Sequence, residues 1–196
     1  MKTENVSRRH FIGSLGGGVT AAWLSSHWTA IAEAQQHVQH ALAQGSPPAL
    51  QFFTAAQAEQ VEAIAAQIIP TDDGPGAKEA GAVYFIDRAL STFDKDRRAA
   101  YTKGLKNLES VSRKLFPRTG KFAALNAEQQ IKVLQSIEKS EFFEVVRSHT
   151  VVGFLANPSY GGNRDKVGWQ WIGFEDKPAF APPFGYYDRT FSGGES

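Results

Sequence analysis

Five histidines are the first place to look for acid–base or metal chemistry, and their positions scatter them. His10 and His27 fall in the N-terminal 34 residues, His37 and His40 in the polar stretch that follows, and His149 alone sits in a helical pattern. A single histidine there reads as a satisfied core residue rather than a base. No serine occupies a G-x-S-x-G elbow. Glu141 and Glu144 share a helix face, but the Glu-x-x-His pairs of a helical di-iron site are missing, so a solvated or interface face is the simpler reading. Asp72 and Asp73 precede Gly74 and Gly76 without the spacing of an EF-hand, which fits a turn. Gly74, Gly76 and Gly81 follow a helix and a proline rather than a strand, so they make no dinucleotide fingerprint. One centre of the chain's own can be drawn: His149, Arg147, Asp72 and Asp73 around a cleft. Otherwise the sequence offers no catalytic, cofactor-binding or metal site.

Composition narrows the classes further. With 21 basic against 20 acidic residues, there is no electrostatic footprint for nucleic acid. The absence of cysteine excludes disulfides, iron–sulfur ligation, CxxCH haem attachment and a thiol nucleophile within this chain. A redox centre would have to lie on another polypeptide.

The N-terminus carries an address. Ser7, Arg8 and Arg9, with Phe11 two places on, match the S-R-R-x-F-I form of a twin-arginine signal. A glycine-diluted apolar run to Ser26 follows, and Ala32 and Ala34 offer the small residues a signal peptidase reads. Residues 1–34 are therefore expected to be a signal peptide and 35–50 a linker ending in Gly-Ser-Pro-Pro. The twin-arginine route carries folded proteins, often with a cofactor or partner bound, so a chain without a cofactor motif can be exported for what it binds. The remainder is neutral, shows no run of the ~18 apolar residues that span a bilayer, and is expected in the periplasm.

Residues 51–196 are expected to form one mostly α domain, a compact bundle or array of about five helices, with an irregular aromatic Gly/Pro-rich segment from 157 onward. Thr54 with Gln57 and Asn126 with Gln129 are capping boxes. Val61, Ile64, Ala65 and Ile68 share one face before Pro70. Val83, Ile86, Leu90 and Phe93 form a second stripe; Tyr101, Leu105, Leu108, Val111 and Leu115 form a third. Asp94 and its neighbours open that third helix with acids, which suits its dipole. The stretch from Ser140 to Asn157 is the most apolar and is expected at the centre.

The stretch NPSYGGNRDKVGWQWIGF, residues 157–174, is rich in aromatics for a loop. Two readings stand: an Ω-like cap over the bundle's end with Tyr160 and Trp169 plugging the core, or a docking segment. In the second, Asn157, Pro158, Tyr160, Gly161, Gly162, Asn163, Arg164, Trp169 and Trp171 contribute to a partner interface.

Two blocks, AAQIIPTDDGPGAKEAGAVYFIDRAL and FFEVVRSHTVVGFLANPSYGGNRDKVGWQWIGF, resemble the gluconate 2-dehydrogenase subunit 3 family. The N-P-x-Y-G-G-N and G-W elements are its specific part. The resemblance implies a three-part enzyme. A large glucose–methanol–choline-type flavoprotein carries FAD and the substrate site, and a multihaem cytochrome c subunit carries haem c. The small subunit brings the twin-arginine signal, engages that translocase, and supports maturation and export of the flavoprotein, with membrane association through its partners. The alternative is a periplasmic helical carbohydrate-binding or structural module, with Trp169 and Trp171 able to stack on a sugar face.

Overall fold

A computed structural model of the chain describes residues 49–177. The twin-arginine signal, all but the last two residues of the linker, and the segment from 178 onward lie outside the described residues. The described part is helical: α1 (Ala55–Ile68), α2 (Ala82–Ser91), α3 (Arg98–Leu115), α4 (Ala127–Ile137), α5 (Glu141–Leu155) and α6 (Val167–Ile172), joined by short 3-10 turns. Among the described residues there is no strand and no helix long and apolar enough to cross a membrane.

Local sequence sets where the helices begin. Thr54 accepts from Gln57 N while Gln57 Oε1 accepts from Thr54 N, and Asn126 and Gln129 make the same reciprocal pair. Such caps are worth ~1 kcal/mol each. Ser140 caps α5 through Phe143 N.

The apolar stripes then decide the packing. α5 is the central helix, lying against α1, α2 and α3. Val61, Ile64, Ile86, Leu90 and Val133 are fully buried, as is Val146 on α5 itself. Gly104 lets α3 meet α5 closely, because a Cβ there would stand 2.0 Å from the Phe142 ring. Glycine in a helix interior costs ~0.5–1 kcal/mol against alanine, which the close docking of Phe142 offsets.

Four details depart from the sequence reading. Leu115, the last residue of the stripe read along α3, is 43% exposed and falls on the final residue of that helix, outside the buried set of Tyr101, Leu105 and Leu108. Phe93 lies past the end of α2 in a turn and is half-buried. Asp94 is buried and precedes a 3-10 turn instead of opening α3. And the stretch from 157, expected to hold no helical period, contains two 3-10 turns and α6.

A second, smaller apolar cluster joins Ala65, Ile69, Ala77, Ala80 and Ala82 to Val151 and Phe154, with Val167 and Trp171 against it. The α1–α2 connection and the 157–174 segment, far apart in sequence, meet there.

Candidate functional site

The carbonyls at the C-terminal end of an α-helix lack intrahelical donors and must find others. At the end of α5 the 157–174 segment supplies them. Asn163 N donates to Gly153 O at 2.8 Å, and Trp169 Nε1 donates to Leu155 O at 2.7 Å. Asn163 Nδ2 donates to Ala156 O at 2.9 Å, while its Oδ1 accepts from Gly168 N at 2.8 Å. Asn163 is fully buried and left-handed at φ 45, a conformation asparagine tolerates better than most residues. Gly162 and Gly168 let the two strands of the loop reach the helix: a Cβ would stand 2.1 Å from Gly153 O and 2.0 Å from Phe154 O respectively. The N-P-x-Y-G-G-N and G-W elements are thus parts of one cap.

The same loop is fastened to the other sequence block. Arg164 N donates to Ala80 O at 2.9 Å, and its guanidinium lies 5.4 Å from the centre of the Tyr84 ring. Trp171 covers Gly74 so closely that a Cβ there would be 2.4 Å from the indole. Within the first block, Glu79 Oε2 accepts from Thr71 Oγ1 at 2.6 Å and Gly76 N at 2.8 Å, which draws its carboxyl below the usual range, the threonine contributing most.

The structure therefore divides the nine residues marked for a partner interface. Gly161, Gly162 and Asn163 are buried in the cap; Pro158, Tyr160, Arg164, Trp169 and Trp171 are half-buried, and Asn157 is exposed. Beside them Trp169 meets Phe174 edge-on at 5.0 Å, and Ile172 and Phe174 are 44% and 47% exposed.

His149 has a different setting. Its Nε2 lies 2.7 Å from Asp94 Oδ2 and its Nδ1 3.0 Å from Tyr101 Oη, with all three side chains buried. With Nε2–H donated to the Asp94 carboxylate, Nδ1 accepts from the Tyr101 hydroxyl. Burial, and secondarily the Asp94 charge, push the Tyr101 phenol well above its ordinary range. The array ties α3, α5 and the α2–α3 turn together.

The cleft drawn from His149, Arg147, Asp72 and Asp73 does not form. Arg147 lines a surface hollow of about 350 Å³ with Glu138, Lys139, Ser140, Phe143 and Glu144, and Asp72 and Asp73 lie in an exposed turn. Among the described residues no three His, Asp or Glu side chains gather as metal ligands.

Three polar residues carry geometry that sequence patterning passed over. Asp87 accepts from Gln51 N at 2.7 Å, Phe52 N at 3.0 Å and Phe53 N at 2.8 Å, pinning the segment that leads into α1. Asp94 pairs with His149, and Arg88 is 7% exposed. The available signal was two adjacent charges, Asp87 and Arg88, inside the apolar α2.

Fold and site together define a small all-α domain whose most elaborate polar geometry closes its own C-terminal loop onto the first helical connection. A family model described as gluconate 2-dehydrogenase subunit 3 matches residues 55–176, and the chain belongs to that family, small subunits of multi-subunit dehydrogenases. No curated protein and no solved structure matches it.

Proposed function

We propose that the chain is a non-catalytic accessory subunit and export escort of a periplasmic flavoprotein dehydrogenase acting on a sugar or sugar acid. FAD then sits on a glucose–methanol–choline-type large subunit, haem c on a multihaem cytochrome c subunit, and this chain supplies the twin-arginine signal that the translocase reads. The observation that carries the reading is the joining of the two sequence blocks into one corner through shared apolar contacts and hydrogen bonds. Its rim holds Tyr160, Arg164 and Trp169, the residue types that anchor interfaces, beside exposed Ile172 and Phe174. Trp169 has its indole N–H committed to Leu155 O and Trp171 lies on Gly74. That engagement favours an interface edge over a free sugar-stacking platform.

The test is co-expression with the flavoprotein and substitution of Arg8 and Arg9 by Lys. The flavoprotein is expected to stay in the cytoplasm; its arrival in the periplasm would reject the escort role. Trp169→Ala is expected to weaken association while the helical content is kept.

A further inference from the structure

Arg88 is the only Lys or Arg buried among the described residues, at 7% exposure. Helix geometry sets it one turn beyond Tyr84 on the same ridge of α2, since residues four apart are neighbours. The Tyr84 ring in turn lies under the Arg164 guanidinium. Neither arginine has a carboxylate within ion-pair distance among the described residues. Asp87, adjacent to Arg88 in sequence, gives it Coulombic support, but the Asp87 oxygens are occupied by three backbone N–H groups. A buried cation without a paired anion is disfavoured, because desolvation is not repaid by a contact. Arg88 feels this: burial lowers its pKa from the ordinary guanidinium value. Tyr84 and Arg164 are only half-buried, so the ridge opens to solvent beside them.

We propose that Arg88 and Arg164, flanking Tyr84, form a carboxylate-receiving site filled by an acidic side chain or chain terminus of the flavoprotein subunit. The inference rests on the docking role argued above and names the chemistry of that contact. Guanidinium groups suit it: a planar fork matches a carboxylate with two parallel hydrogen bonds. The anion would neutralise Arg88.

The test uses the full chain with its flavoprotein, measuring the dissociation constant at low and high salt for the wild type, Arg88→Gln, Arg88→Lys and Arg164→Gln, beside the melting temperature of each isolated chain. Expected are tenfold or greater weakening for Arg88→Gln and Arg164→Gln, only partial recovery in Arg88→Lys, and a shallower salt dependence in Arg164→Gln. The partly exposed Arg164→Gln chain keeps the test informative if Arg88→Gln fails to fold. Association equal to wild type in Arg164→Gln, with unchanged salt dependence, overturns the proposal. So does an Arg88→Gln chain that melts lower yet binds normally, which would mean that a carboxylate of this chain fills the site. If the wild type does not bind the flavoprotein at all, the docking role itself falls, a result distinct from normal binding by the variants.

Discussion

Asn163 Oδ1 accepts the Gly168 N–H at 2.8 Å inside a fully buried site, so one side chain joins the two arms of the loop that caps α5. Its amide nitrogen serves the Ala156 carbonyl at the same time. Asn163→Ala removes both bonds and leaves a buried N–H and a carbonyl without partners. Each such orphan costs ~1–3 kcal/mol. Urea unfolding is expected to show a loss of at least ~2 kcal/mol; a loss below ~0.5 kcal/mol, the range of an ordinary surface change, would show that the cap does not stabilise the fold.

Gly168→Ala tests close approach instead of hydrogen bonding. Its Cβ would stand 2.0 Å from Phe154 O, a backbone atom that can move only with α5. The loop must lift, taking the Trp169–Leu155 bond with it. The variant is expected to melt several degrees lower, with tryptophan emission shifted to the red. Unchanged emission and melting would mean that the loop does not sit against the helix.

Asp87→Asn keeps the shape of the side chain and removes its charge. Three backbone N–H groups from Gln51 to Phe53 then face a neutral amide. Hydrogen bonds to charged groups contribute ~1.5–3 kcal/mol, about twice neutral ones. Faster amide exchange confined to residues 51–53 is the expected signature, with the later helices unaffected. Protection equal to wild type at those amides would remove Asp87 from the role.

Tyr101 gives a pH dependence with a definite sign. Its folded pKa lies well above the ordinary 10.0, so the folded chain holds that proton to higher pH than the unfolded one. The associated stability is complete below about pH 10 and declines as pH rises beyond it, by ~1.4 kcal/mol per unit for one proton. Tyr101→Phe is expected to shrink this alkaline loss, leaving the smaller total from Tyr160, whose phenol burial also raises over a narrower pH window. A variant that declines as steeply as the wild type would place the titration elsewhere.

Helix positions were legible because they depend on neighbours in sequence. Thr54 and Gln57, or Asn126 and Gln129, lie three residues apart, so their caps could be read directly. The apolar stripes of α1 and α2, and the first three members of the stripe of α3, followed from spacing for the same reason, and α5 stood out by its apolar content. Leu115 could not be placed that way, since whether the last residue of α3 is covered depends on what the fold packs beside it and not on its spacing. His149 was rightly read as a satisfied core residue, but its partners lie 48 and 55 positions away, beyond any local pattern.

The sequence by itself determined a mostly α fold, the capped starts of α1 and α4, the central helix, and the family, through two blocks whose glycines, prolines and aromatics are specific enough to stand out. Tertiary structure alone decided that those blocks are one object. Gly162, Asn163 and Trp169 complete the end of a helix, and Arg164 reaches back to Ala80 and Tyr84. The physical reason is that a helix's last carbonyls accept donors from any distance along the chain, and only the fold brings a particular donor there.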